Sequence, residues 1–283
     1  MKISIVGQRS LPSQELVKLL RCSPQYEVET IPQELVSDPV QFKKRISDAH
    51  VVVIAGHGFI SKEVIPLIDD KIVIDLSPEF RTDPNWDYCN PYVLLPAKHA
   101  RASAPGCFAT GAIIILKPLA DLHLLSNTPF IYINSTNGYS AGGHKLTERV
   151  DSGKFNTTRY SVSDEHRHID EIRAHSGIAG PISMSPVIGQ HRRGLMTCIP
   201  IRCDADIVKN TLLAYYSGTA VNVISNLPAT IEITDYACKP GAVIYVVPKS
   251  FGCEVISLMD NILFGSVEHV VSYIDDFAIT LAI

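Results

Sequence analysis

Cys107 lies in the stretch SAPGCFATGAIIILKPL (103–119), directly after a Pro-Gly corner and directly before small and apolar residues. Gly106 lets the backbone turn sharply, and a helix then begins near Cys107. Free N–H groups at such an end stabilise a thiolate and a developing oxyanion. A thiolate held there attacks acyl carbons well. Plain packing explains the position equally well, because a free cysteine is a small hydrophobe that is often buried. Spacing alone leaves both readings open. The other six cysteines, Cys22, Cys89, Cys198, Cys203, Cys238 and Cys253, lack this setting.

A nucleophile needs a base, and SDEHRHIDEIRAHSG (163–177) offers His166 and His168, with Ser163 as N-cap. Residues two apart on a helix point about 200° apart, so only one of the two would face Cys107 if the whole segment is helical. That geometry favours His168, which shares a face with Ile169 and Ile172, while a frayed first turn leaves His166 available. Both also read as ordinary polar helix residues. No second cluster of His, Cys or carboxylates has ligand spacing, so no metal is expected. The loop NSTNGYSAGGHK (134–145) places Gly138, Gly142 and Gly143 before Lys145. Its backbone can close around an anion, with Lys145 adding charge, although a flexible connection has the same composition. GQHRRG (189–194) puts Arg192 and Arg193 between two strands. Arginine suits bidentate binding of carboxylate or phosphate, and a hairpin tip with solvated charges is the plainer reading.

The elements that must position these residues fall into two textures. Residues 2–6, 26–31, 50–56 and 71–77 are short β-rich runs, separated by helical patterns at 13–21, 38–48 and 61–70. This alternation predicts a parallel sheet with right-handed crossovers and a ligand site at the carboxyl ends of its strands. After a helix at about 107–120, longer strands fit 130–135, 182–188, 195–202, 229–234, 242–248 and 253–260, with helices at about 164–175 and 205–218. This part reads as α+β with a mixed sheet, and 266–283 as a closing helix. The fold class is therefore α/β: a Rossmann-like N-terminal domain (1–106 plus 265–283) and an α+β catalytic and oligomerisation domain (107–264).

Composition narrows the class. The chain has 283 residues, 46% hydrophobic and 19% charged, with a net charge of -4. That fits a folded globular protein without the basic footprint of nucleic-acid binding. The run Lys43-Lys44-Arg45 reads as a solvated helix face. No apolar stretch approaches the roughly 20 residues of a membrane span. The first residues read as a strand, not a signal peptide. Seven cysteines with no CxxC pair argue against a disulfide framework and for a cytoplasmic setting.

APGCFATGAIIILKPL, NSTNGYSAGGHK, HRHIDEI, PVIGQHRRGLMTCIPI and LMDN, in that order, with IDLSPEFRTDPNW upstream, resemble N-acetyl-γ-glutamyl-phosphate reductase, especially its shorter form. That family is related to aspartate-semialdehyde dehydrogenase. The resemblance covers roughly residues 50 to 265. It implies reduction of an acyl phosphate to an aldehyde with NADPH, through a thioester on Cys107. His166 or His168 would be the acid/base. Lys145 and Arg192, with Gly142 and Gly143, would hold phosphate or the substrate carboxylate. Gly7, Ser10, Ser13, Ser77 and Asn261 would line the NADP(H) site, and a homodimer or homotetramer is implied.

This chain departs from the family pattern at three places. The first loop is GQRSLPS, with Ser10 and Ser13 where glycines are usual and Pro12 between them. Glu268, His269, Ser272 and Tyr273 replace small residues and a Gln-Asn pair near the end. Ala104 stands where an Asn beside the nucleophile is expected. The first two changes fall on the cofactor side. They raise an alternative, a cofactor-independent cysteine acyltransferase or hydrolase derived from the same family.

Overall fold

A computed structural model describes residues 1–56, 58–68, 70–93, 99–162 and 166–281. The chain forms two compact units, residues 1–105 with 266–283, and residues 106–265.

The first unit alternates strands and helices: β1 (Lys2–Val6), α1 (Leu11–Arg21), β2 (Glu27–Ile31), α2 (Pro39–Arg45), β3 (Val51–Ile54), α3 (Gly58–Val64) and β4 (Ile72–Asp75). Two short strands follow, β5 (Asp87–Tyr88) and β6 (Arg101–Ser103). The sheet order is β2-β1-β3-β4-β6-β5 and every pairing is parallel. Residues 51–54, VVVI, are buried on both faces, as a central parallel strand requires. Asp38 caps α2 by accepting the Gln41 N–H, and Pro39 occupies the first helical position. Strand order reverses beside β1, and there the β1–α1 turn carries Gly7. The last helix of the chain belongs to this unit. On it Tyr273 donates to Asp87 Oδ2 at 2.8 Å, and Tyr26 and Gln25 donate to Asp275.

The second unit contains α4 (Cys107–Asp121), β7 (Ile131–Asn137), α5 (Gly143–Asp151), β8 (Thr158–Arg159), α6 (His168–Ser176), β9 (Ile182–Ile188) and β10 (Leu195–Ile201). It continues with α7 (Ala205–Tyr215), β11 (Val221–Ile224), β12 (Ala242–Lys249) and β13 (Gly252–Met259). The closing helix described above is α8 (Glu268–Leu281). The second sheet is mixed, in the order β11-β12-β13-β10-β7-β9-β8. The expected α/β class, a parallel sheet followed by a mixed one, is the observed one.

Two local expectations need correction. Residues 229–234 alternate like a strand, yet they form no strand, and a 3-10 turn covers Ile233–Tyr236. Both sides of β12 are already taken, by β11 and β13. The segment crosses the sheet face instead, and Ile231 and Tyr236 pack on Tyr245, Ile256 and Leu258. Likewise GQHRRG is no hairpin tip, because β7 lies between β9 and β10.

Helix α4 is apolar almost all round and lies against β10, β13, α6 and α7. Ile113, Ile114, Ile115 and Leu116 are fully buried, worth about 1.5–3 kcal/mol each. Pro118 interrupts its hydrogen bonding by removing the N–H that would pair with the Ile114 carbonyl. The Tyr216 hydroxyl, next to α7, fills the gap and donates to Ile114 O at 2.7 Å. Tyr216→Phe is expected to strand that buried carbonyl and to cost about 1–3 kcal/mol. Urea unfolding should give a lower midpoint at unchanged slope.

Candidate active site

Cys107 is the first residue of α4, and Gly106 before it is extended (φ −84°, ψ 141°) and lays no side chain over the helix end. The cap therefore supplies no side-chain oxygen to the first-turn N–H groups, which lie beside the thiol at the positive end of the macrodipole. The Gly106 N–H itself donates to Glu171 Oε1 at 2.7 Å. Asn137, the last residue of β7, donates from Nδ2 to Cys107 Sγ at 3.2 Å. Gly265 closes another flank. A Cβ there would stand 2.8 Å from Cys107 Cβ, and Thr110 Oγ1 donates to Gly265 O at 3.0 Å.

Both histidines join this cluster. Phe108, next to the thiol, has its ring centroid 5.5 Å from His166 and 5.7 Å from His168. Helix α6 starts at His168, so His166 stands before it and escapes the opposed directions that a continuous helix imposes. Ser163 lies outside the described residues. His168 and Glu171 share a face at i,i+3 spacing, with Nε2 3.7 Å from Glu171 Oε2. His166 Nδ1 accepts the His168 N–H at 3.3 Å, and its Nε2 is 2.9 Å from the Tyr160 hydroxyl. Burial, helped by the Arg167 charge, pulls His166 down to about 4. The ring is thus neutral near pH 7, with its proton on Nε2, donated to Tyr160. Burial and the neighbouring thiol push the Tyr160 phenol up, so it keeps its proton.

The basic and glycine-rich segments meet through their backbones. Tyr139 N–H donates to His191 O and Ser140 N–H to Arg192 O, at 2.9 and 3.0 Å. The Arg192 side chain is exposed, whereas Arg193 donates to the buried Asp260 at 2.6 Å. Gly142 and Gly143 are exposed at the junction of a 3-10 turn and α5. Lys145 is on α5, and its side chain lies outside the described residues. Asn261 is 4% exposed, accepts the Gly194 N–H at 2.9 Å and donates to Ser140 Oγ at 3.0 Å. Asn137, Tyr160, Glu171 and Gly265 escape sequence reasoning. Only Glu171 carried a signal, its i,i+3 spacing from His168. Among the described residues no group of three His, Cys, Asp or Glu could hold a metal.

In the first unit, Gly7 has φ +83°, and a Cβ there would lie 3.1 Å from Ala55 O. The turn glycine that lets a pyrophosphate approach is kept. The helix start behind it offers fewer donors. Pro12 has no N–H, and Ser13 N–H donates to Ser10 Oγ at 3.2 Å. Ser13 is fully buried, and its hydroxyl donates back to Ser10 O at 2.9 Å. Of the first three helical positions only Leu11 still offers an N–H. Ser77 is 3% exposed, and its hydroxyl donates to Asp75 and accepts the Glu79 N–H. The residues fit a nicotinamide dinucleotide held at Gly7, Ser10 and Leu11, with a weaker grip than an all-glycine turn.

The family model described as semialdehyde dehydrogenase, dimerisation domain, matches residues 107–261. The chain belongs to the semialdehyde dehydrogenase family, a family of oxidoreductases. Its curated relatives include proteins named N-acetyl-gamma-glutamyl-phosphate reductase. That of Burkholderia lata is 29% identical over 62% of this chain and 59% of its own length. That of Burkholderia ambifaria is 27% identical over 82% of this chain and 79% of its own length. That of Sinorhizobium medicae is 21% identical over 94% of each. Among solved structures, aspartate semialdehyde dehydrogenase II from Vibrio cholerae, complexed with ASA, has a TM-score of 0.77 at 13% identity, covering 98% of both chains. The Candida albicans enzyme with NADP has a TM-score of 0.69 at 13% identity, covering 98% of both. At that identity the likeness is one of fold.

Two outcomes follow. Because His166 binds its proton less readily folded than unfolded, its contribution is complete above about pH 6.5 and is lost as pH falls toward 4. Denaturant titrations between these limits should show stability falling with pH, and His166→Gln should flatten that slope. Ser10→Gly frees the Ser13 N–H and is expected to tighten NADPH binding about tenfold by calorimetry, the worth of one charge-assisted hydrogen bond.

Proposed function

We propose that this protein reduces an amino-acid-derived acyl phosphate, N-acetyl-γ-glutamyl phosphate or a relative of it, to the semialdehyde through a thioester on Cys107. The observation that carries the reading is the start of α4, uncapped by any side chain, where Cys107 meets the Asn137 amide and the turn before it is tied to Glu171 beside His168. The names of the curated relatives support the substrate class. None of the relatives described above is named a transferase or a hydrolase.

The Cys107 thiolate attacks the acyl carbon, the carbonyl oxygen takes negative charge toward the helix N–H groups, and phosphate leaves. His168 is the acid/base, since the Glu171 carboxyl can balance its charge while His166 stays neutral and bonded to Tyr160. His166 orients His168 through the bond to its N–H. Lys145, Arg192, Gly142 and Gly143 are assigned to the phosphate and carboxylate of the substrate. When bound, NADPH would supply the hydride that turns the thioester into the aldehyde. Gly7, Leu11 and the main chain of Ser10 would hold its pyrophosphate. Ser77 and Asn261 act by shaping their loops, since their polar atoms already pair within the fold.

The match of residues 107–261 to a dimerisation domain supports a homodimer. No described helix is long and apolar enough to cross a membrane. None of the seven cysteines forms a disulfide, in keeping with a reducing cytoplasm.

The test is run in the easier direction, semialdehyde plus phosphate plus NADP, following NADPH formation by absorbance. Wild type should turn over, and Cys107→Ser should lose at least about a thousandfold in kcat. Absence of phosphate-dependent NADPH formation with N-acetylglutamyl and related semialdehydes would sink the reading.

A further inference from the structure

We infer that Asn137 is a further catalytic residue, the side-chain amide that holds the Cys107 thiolate. It rests on the reading above, in which Cys107 is the nucleophile. Ala104 stands where the family resemblance implies an asparagine beside the cysteine, so this chain lacks a polar side chain there. A different stretch brings an amide to the thiol. Asn137 ends β7, is fully buried, and its Nδ2 lies 3.2 Å from Cys107 Sγ.

Only the NH2 end of the amide can donate to a thiolate, which is acceptor only. The other end is informative too. Asn137 Oδ1 is buried and has no hydrogen-bond partner among the described residues. A buried polar atom left unpaired is rare in a folded protein and marks a place where a ligand group or water completes the bonding. A purely structural asparagine at a strand end would pair both ends. Its backbone anchoring is independent of the side chain, since Asn137 O accepts the Gly189 N–H at 2.8 Å and the residue keeps its register with Leu195 and Ile188. The strand therefore holds the amide rigidly against the thiol, and a side-chain change leaves the ladder intact.

The donor favours the charged form of the cysteine, so removing it makes the thiol a weaker acid. The test is the pH profile of Cys107 alkylation by iodoacetamide, read by peptide mass so that the other cysteines do not count. It needs no substrate, and its result stands whether or not reduction is observed. Asn137→Ala should shift the profile upward by about one pH unit, with about tenfold slower alkylation near neutrality. Asn137→Leu, of similar shape and without a donor, should do the same, and it carries the test if the alanine variant fails to fold. In turnover both should lower kcat with little change in KM. Wild-type alkylation profiles in a folded variant would overturn the inference, and so would a loss confined to KM.

Discussion

Glu171 is 2% exposed, and both of its carboxyl oxygens face the site. One accepts the N–H of Gly106, and the other lies near His168 Nε2. A carboxyl group taken out of water is costly unless it is bonded, and here its partners are the turn before Cys107 and the His168 ring. Residues 65 apart in sequence are thereby held in one frame. That contact adds a polar tie between the start of α4 and the start of α6 to the packing of Phe108 against His166 and His168.

The frame is rigid because its members end or begin regular elements. Cys107 opens α4, His168 opens α6, and Asn137 ends β7 between two neighbouring strands. Helix α4 is buried along most of its length and tolerates Pro118 because Tyr216 satisfies the orphaned carbonyl. Gly265 then lets the chain approach the thiol more closely than any side chain would permit. The result is a small polar cluster set in an apolar surround, where hydrogen bonds and charges act more strongly than in water.

The nucleotide side follows a different logic. A helix start must satisfy its free N–H groups, from within or from a ligand. In α1 the Ser10 hydroxyl does this for Ser13, and Pro12 has no group to satisfy. The hydroxyl that stabilises the free helix would therefore compete with a phosphate for the same donor. The parallel sheet and the Gly7 turn suit a dinucleotide, and the local chemistry at the start of α1 would weaken its hold.

Much was legible in the residues themselves. The parallel first sheet follows from alternating apolar runs and helical patterns. The helix start at Cys107 follows from Pro-Gly and the apolar run after it, and the His166–His168 pair from its nearness in sequence. These are local properties, encoded within one segment. Residues 229–234 carry a strand pattern, but a strand also needs a free neighbour, and β11 and β13 already flank β12. The arginine segment looked like a hairpin because nothing local reveals that β7 lies between β9 and β10. Asn137 and Gly265 looked ordinary because their roles exist only once distant segments meet at the thiol. Sequence alone determined which groups are able to do chemistry, since residue type and local conformation are carried by neighbours along the chain. The tertiary structure alone decided which of them meet and which pair elsewhere, since hydrogen bonding and burial depend on partners the chain reaches only by folding.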